Sequence, residues 1–218
     1  SNSVVSAVDF EKDQVYFRVA EGFHPGNAVI AAKNDMGVIM WSWHIWVPET
    51  PIAENLYGIS RKKSMDRNLG AVSAKKAEGE LTHGLLYQWG RHTPFKKSGT
   101  YTSSTERVTS DKAIANPLTL YGEGNIHWLS DEYDQHEANA LWGCRHGGSH
   151  LDPEKTIYDP CPPGYHVANV RIWENISSYE KAGGFTPEGV NLSIASNDVW
   201  YPMQGYLEAN GNFVQETE

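Results

Sequence analysis

One run of seven residues, Trp41-Ser42-Trp43-His44-Ile45-Trp46-Val47, limits what this chain can fold into more than any other stretch. Read with a period of two, it puts Trp41, Trp43, Ile45 and Val47 on one face of a strand and Ser42, His44 and Trp46 on the other. One face belongs to a core and the other is half polar. Pro48 and Pro51 end the strand, because proline has no N–H to give to a ladder, and Glu49 to Asn55 becomes a connection. Upstream, Val15 to Val19 and Ala28 to Ala31 are short β-favouring runs, and Asn34-Asp35-Met36-Gly37 is a turn signal. The first 47 residues therefore read as strands, with Val29 to Val47 a continuous hairpin.

Charge and size exclude several classes. The 218 residues carry 18 Lys and Arg against 27 Asp and Glu, a net charge of −9, so no basic field is available to neutralise phosphates. Nucleic acid and anionic membrane surfaces are poor partners. Val38 to Val47, the longest apolar-looking stretch, is too short to span a bilayer, so no direct membrane insertion is expected. The start, Ser1-Asn2-Ser3-Val4, has neither an initiator Met nor the charged and apolar regions of a signal peptide, which reads as an excised or processed fragment. Among the large side chains, 8 Trp and 11 Tyr outnumber 6 Phe, so most aromatic rings carry a polar handle.

Further along, Leu81, Leu85, Leu86 and Trp89 recur at helical spacing, weakened by Gly84 and stopped by Gly90. Lys96 to Asn116 is polar and rich in Ser and Thr, a surface-loop composition. Tyr121 to Pro163 has no sustained period and reads as irregular backbone pinned by buried aromatics. A second helix is predicted over Arg171 to Ala182, ended by Gly183-Gly184, and two closing strands, Val199 to Leu207 and Asn212 to Val214, are joined at Asn210-Gly211. The sum is an α+β fold of antiparallel strands, two helices and long irregular loops, in one domain over 1–218. Residues 1–37 are either its first strands or the edge of a preceding domain, and the first reading is preferred.

Few residues announce chemistry. His146 and His150 are four apart, but Gly147 and Gly148 between them remove the helical face a zinc pair would need, so no metal site is expected. The acidic run Asp131 to Glu137 offers oxygens for calcium without the EF-hand spacing or its Gly, and reads as a solvated loop. Cys144 and Cys161 are the only cysteines: a bridge between them would be worth about 3 kcal/mol in the chain-entropy model, and bridged and free states both stand. Nothing singles out a carboxylate pair for glycoside hydrolysis, and no nucleophile elbow or phosphate loop is present, so no catalytic residue is assigned. Trp41, Trp43 and Trp89 are expected in the core. Trp128 and Tyr133 beside Asn125, Asp131 and Asp134, together with Trp142, are the candidate ligand-binding residues. Aromatics in a polar loop can offer a flat platform to a sugar ring, although they can equally do no more than pin the loop.

The order of several motifs is specific. Trp41-Ser42-Trp43-His44-Ile45-Trp46 is followed by Met65-Asp66-Arg67-Asn68-Leu69-Gly70, then by Gly84-Leu85-Leu86-Tyr87-Gln88-Trp89-Gly90-Arg91 with Pro94-Phe95. Leu141-Trp142-Gly143, Lys155 to Val167 around Asp159-Pro160-Cys161-Pro162-Pro163-Gly164, and Tyr201-Pro202-Met203-Gln204-Gly205-Tyr206 complete it. Over residues 38–211 this series resembles the Fibrobacter succinogenes major paralogous domain, found in surface lipoproteins and fimbrial, fimbrillin-like proteins of Bacteroides-type bacteria. The resemblance implies a C-type-lectin-like fold, export to the extracellular face of the outer membrane, and a role in adhesion. Its motif residues look structural, with Asp66, Arg67 and Asn68 satisfying one another and nearby backbone, and the proline run fixing a turn. A late cysteine common in the family, a partner for Cys161, is missing, as is the calcium-and-sugar signature of true C-type lectins. Calcium-dependent sugar binding is therefore not carried over, and no cofactor is expected.

The leading expectation is a cell-surface recognition module that binds glycan or a surface protein. The alternative is a structural fimbrial or lipoprotein subunit in contact with other subunits, which predicts an unpaired edge strand or exposed apolar patch. A glycan-cleaving enzyme is a third and lesser reading.

Overall fold

Alternation builds the N-terminal part. In the computed structural model, which describes residues 3–22, 24–57, 62–124, 127–130, 132–143, 154–168, 181–194 and 197–215, β1 (Val5–Glu11) and β2 (Gln14–Val19) form an antiparallel hairpin. Its two turn residues, Lys12 and Asp13, both have positive φ, 51° and 61°, the geometry whose twist suits a two-residue hairpin. β3 (Gly26–Lys33) and β4 (Ile39–Val47) make a second hairpin. Its turn is held by Asn34, whose Oδ1 accepts from the backbone N–H of Met36 and of Val38, each at 3.0 Å.

The register of this second hairpin decides which face is buried. Ala28, Ile30 and Ala32 lie opposite Ile45, Trp43 and Trp41 on one face, and Asn27, Val29 and Ala31 lie opposite Trp46, His44 and Ser42 on the other. The half-polar face is the one pinned to the rest of the molecule. Ser42 is buried against His92, His44 meets Asn27 and Tyr87, and Trp46 Nε1 donates to Ala71 O at 3.0 Å. The tryptophan face looks toward the first hairpin and stays partly open, with Trp43 36 % exposed. The core expectation therefore fails for Trp43, because the polar side chains have partners that only the buried side supplies; Trp89, 43 % exposed, misses the core as well.

β5 (Glu54–Tyr57) and β6 (Lys62–Met65) pair antiparallel, and a 3₁₀ segment, Lys76–Thr82, follows with a break at Gly79. The helix predicted through Leu85 and Trp89 does not form. Leu85 N donates to Leu69 O, Leu86 and Phe95 exchange backbone hydrogen bonds, and Gly84 N donates to Gln204 Oε1 at 2.6 Å, so these amides serve distant partners rather than a helix. A Cβ at Gly84 would lie 2.6 Å from Leu69 O, which is why a glycine stands there.

The polar stretch expected as a surface loop instead holds structure. β7 (Thr102–Ser104) and β8 (Thr119–Tyr121) are parallel, joined through α1 (Ser110–Ala115), whose Ala113 and Ile114 are buried. α2 (Gln135–Ala140) begins at a capping box between Asp134 and Glu137. Most of the second predicted helix, residues 171–180, lies outside the described residues. Its end, Lys181 and Ala182, belongs with Gly183-Gly184 to β9 (Lys181–Thr186), which pairs with β10 (Gly189–Ile194), itself paired with β11 (Asn197–Pro202). The single closing strand expected from Val199 to Leu207 is two, since Gly205, at φ 82°, separates β11 from β12 (Tyr206–Leu207). β12 pairs with β13 (Phe213–Val214) around the Asn210-Gly211 turn.

The architecture is thus α+β, mostly small antiparallel strand pairs with short helices and long connections. One apolar cluster joins Val190, Leu192, Val199 and Tyr201; a larger one joins Val108, Ala113, Tyr121, Trp128, Leu129 and Ala138. Buried polar groups tie the irregular segments. Arg67 grips Asp66 at 2.8 Å and also donates to Thr50 Oγ1, while Arg91 donates to Thr119 O at 2.6 Å, Ala113 O at 3.0 Å and, farther off, Asn116 O, closing the C-terminal end of α1. Among the described residues no helix is long and apolar enough to cross a membrane.

Candidate functional site

Of the side chains singled out for ligand binding, the two tryptophans are buried. Trp128 is 4 % exposed and its Nε1 donates to Trp89 O at 2.6 Å; Trp142 is 6 % exposed and packs tilted against the Trp89 ring at 4.6 Å. Both pin the long loop, the other role open to them. Gly122 permits that packing, since a Cβ there would meet Trp128 Cα at 2.7 Å. Tyr133 is partly exposed at the start of α2, where Asp134 accepts the Glu137 N–H at 2.9 Å as the helix cap. Asn125 and Asp131 lie outside the described residues, as do Cys144, His146 and His150. Cys161 is a free thiol. No group of three or more potential metal ligands assembles among the described residues.

The open concave surface lies elsewhere. A cleft of about 380 Å³ runs along β4, reached by residues from both of its faces, between Phe17 of the first hairpin and the turn that carries Ile157 and the prolines 160, 162 and 163. Trp41 stands in its wall, stacked on His92 with ring centroids 4.1 Å apart and planes 11° from parallel, with Tyr158 tilted beside it at 6.0 Å. Trp43 and Phe17 give the cleft aromatic surface, and Ile157, 71 % exposed, stands at the rim.

Sequence builds this cleft from both sides. β4 supplies six consecutive residues, Trp41 to Trp46, to the near wall. Asp159 shapes the far wall: its Oδ1 accepts from Lys155 Nζ at 2.9 Å and Cys161 N at 2.8 Å, and its Oδ2 from Val167 N at 2.7 Å. Those bonds hold the proline turn, with Pro162 and Pro163 limiting φ, so the buried carboxylate is structural. The turn reading of this run and the mutual pairing of Asp66 with Arg67 are both present in the structure.

Apart from the Asp159 carboxylate, committed to the proline turn, the polar groups along the cleft are neutral, and the histidines among them are engaged with polar neighbours. Asn27 Nδ2 donates to Gly70 O, which orients its amide so that Oδ1 accepts from His44 Nε2 at 2.8 Å; His44 Nδ1 then accepts from the Tyr87 hydroxyl at 3.3 Å. Burial lowers the His44 pKa to about 4. His92 shares a 3.2 Å hydrogen bond with Ser42, and burial, with the nearby Arg91 charge second, lowers its pKa to about 4 as well. A carboxylate partner of the kind that orients a catalytic histidine would push that value the other way. Burial, followed by the Asp159 charge, pushes the Cys161 thiol up to about 12, so it is no thiolate nucleophile at neutral pH. The Tyr87 hydroxyl is also raised, by burial first.

The cleft therefore offers ring faces and apolar contact. The residues that line it were legible only in part. Trp41 and Trp43 stood out in the sequence but were assigned to a core, and Phe17 and Ile157 carried no isolated signal. The alternation Val8-x-Phe10 and Val15-x-Phe17-x-Val19 would have flagged an apolar face on the first hairpin. No protein-family model matches this chain, no curated protein is similar to it, and no solved structure matches its fold.

Proposed function

We propose that this chain is a cell-surface recognition module, of the adhesin or fimbria-associated kind, that holds a glycan or a surface protein in the cleft between β4 and the turn at 157–163. The carrying observation is the half-open aromatic wall of Trp41, Trp43 and Phe17 facing Ile157 and the prolines. Flat aromatic faces suit the apolar face of a sugar ring or an aliphatic side chain, and concave, mostly apolar surfaces with few polar groups are where ligands bind. The motif series that resembles the major paralogous domain supports a location on the extracellular face of the outer membrane and a C-type-lectin-like arrangement of the α+β fold.

A glycan microarray, run beside an array of surface proteins with calcium and with chelator, tests this. The wild type is expected to bind in either condition. Ile157→Glu and Trp43→Ala, both at exposed positions, are expected to bind at least about tenfold more weakly, roughly the loss of one good contact, with a melting temperature lowered by no more than about 4 °C. Silence of the folded protein on both arrays, or binding that both variants keep, overturns the reading.

A further inference from the structure

We infer that the β1–β2 hairpin is a self-association surface, through which two copies of this chain pair about a twofold axis. The inference does not rest on the ligand reading above, although the two surfaces share Phe17 and Trp43. The hairpin is sharply two-faced: its register places Val8 opposite Phe17 and Phe10 opposite Val15 on one side, and Asp9 opposite Tyr16 and Glu11 opposite Gln14 on the other. On the apolar side Val8 is 52 % exposed, Phe10 65 % and Phe17 46 %. Both strands belong to a two-stranded sheet, which is marginal in water without something packed on it.

The apolar side faces Ile30, Ala32 and Trp43 of the second hairpin without closing on them, leaving a trough of about 300 Å³ lined also by Val8, Phe10 and Val15. The interlayer that would complete a small sandwich is therefore open to solvent and apolar on both walls.

Charge selects the occupant. The chain carries −9 overall, so two copies repel at a distance and can meet only where net charge is absent. The hairpin carries no net charge there: Asp9, Glu11 and Arg18 alternate to the side opposite Val8, Phe10, Val15 and Phe17, and the trough lining holds one charge of each sign, Asp9 and Lys33. An apolar patch of no net charge is complementary to itself, which is what an isologous contact requires. The exposed parts of Val8, Phe10, Phe17, Val19 and Trp43 amount to on the order of 450 Å², the small end of the interface range, so the pair is a weak dimer.

Sedimentation velocity from about 5 to 500 µM, which spans the dissociation constants of a weak dimer, reads the proposal directly. The wild type is expected to move from monomer toward dimer. Val8→Lys with Phe10→Lys, positions that do not line the β4 cleft, is expected to stay monomeric throughout, and Tyr16→Lys on the charged side is expected to associate as the wild type does. A wild type that stays monomeric at the top of the range overturns the inference, and so does a double variant that still pairs. Should the double variant fail to fold, hydrogen exchange on the wild type decides. Amides of β1 and β2 slowed at high concentration support the dimer; amides that exchange alike at both ends of the range refute it. Loss of self-association with ligand binding intact, or the reverse, separates this inference from the recognition reading.

Discussion

The two N-terminal hairpins and the irregular body between Asp66 and Asp159 solve the same problem in opposite ways. The hairpins have regular backbone and leave large apolar side chains in water, Phe10, Phe17 and Trp43 among them. The body has little regular backbone, yet buries Trp128, Trp142 and Phe95 and even takes charged side chains inside, Asp66, Arg67, Arg91 and Asp159. Regular pairing satisfies backbone groups locally, so a hairpin can exist with one face unfilled; irregular backbone must find partners one by one, and buried polar side chains supply them. Most of the exposed large apolar side chains are thus on the regular part, with Leu118 and Ile157 the main ones the irregular part leaves in water.

The largest expected effect tests the body's dependence on its buried cations. Arg91→Met keeps much of the volume but strands the carbonyls of Thr119 and Ala113 that the guanidinium now serves. Leaving several buried acceptors unpaired is expected to lower stability by about 3–5 kcal/mol, read as a shift in denaturant midpoint at constant slope. A loss under about 1 kcal/mol would mean that water replaces the arginine and that the body is not held as described.

Next, the same residue type can be compared across the divide. Trp128→Ala empties a site in the larger apolar cluster and removes the hydrogen bond to Trp89 O, with an expected cost of about 3–5 kcal/mol. Trp43→Ala, on the exposed wall, is expected to cost about 1 kcal/mol or less. Similar costs for the two would erase the distinction.

Acid probes the seam between the two regions, where Ser42 and His44 of β4 meet the body. His44 and His92 are held near pKa 4 in the folded state and return to about 6.5 when unfolded, so the unfolded chain binds more protons between those values. Stability is full above pH 6.5 and falls as pH drops toward 4, by about 2–3 kcal/mol for each histidine over that window. Denaturant midpoints at pH 7, 5.5 and 4.5 give the slope, and His92→Gln is expected to remove roughly half of it. A flat profile down to pH 4.5 would show that neither ring is held neutral by burial.

Legibility in the sequence followed the same divide. The strand at Trp41 to Val47, its turn at Asn34 to Gly37 and the Asn210-Gly211 turn were readable because period and turn chemistry are local. Which face of β4 is buried was not, since it depends on His92, Tyr87 and Ala71 arriving from elsewhere in the chain. The helical spacing of Leu81, Leu85 and Leu86 misled for a similar reason, as Leu81 lies in a 3₁₀ segment while the amides of Leu85 and Leu86 answer to Leu69 and Phe95. Trp43 in the strand reads as core and lies partly open, whereas for Trp128 in the polar loop, where platform and pin both stand, the structure has the pin. Burial of a ring depends on what folds over it, and composition near the ring does not report that.

The smallest effect sharpens the contrast at a surface position. Asp134 stood out as a candidate ligand contact, yet its carboxylate accepts the Glu137 N–H at 2.9 Å while Glu137 returns a bond to Asp134 N, so the side chain is committed to starting α2. If capping is its role, what matters is an acceptor of the right reach and not the charge, so Asp134→Asn and Asp134→Ser should stay within a few tenths of a kcal/mol of wild type. Asp134→Ala should cost about 1 kcal/mol and fray a helix only six residues long, seen as faster hydrogen exchange at Glu137 and Ala138. Ligand binding should survive all three substitutions. Binding lost in Asp134→Asn with the helix intact would place the carboxylate in recognition, and the body would then share the surface work assigned here to the hairpins.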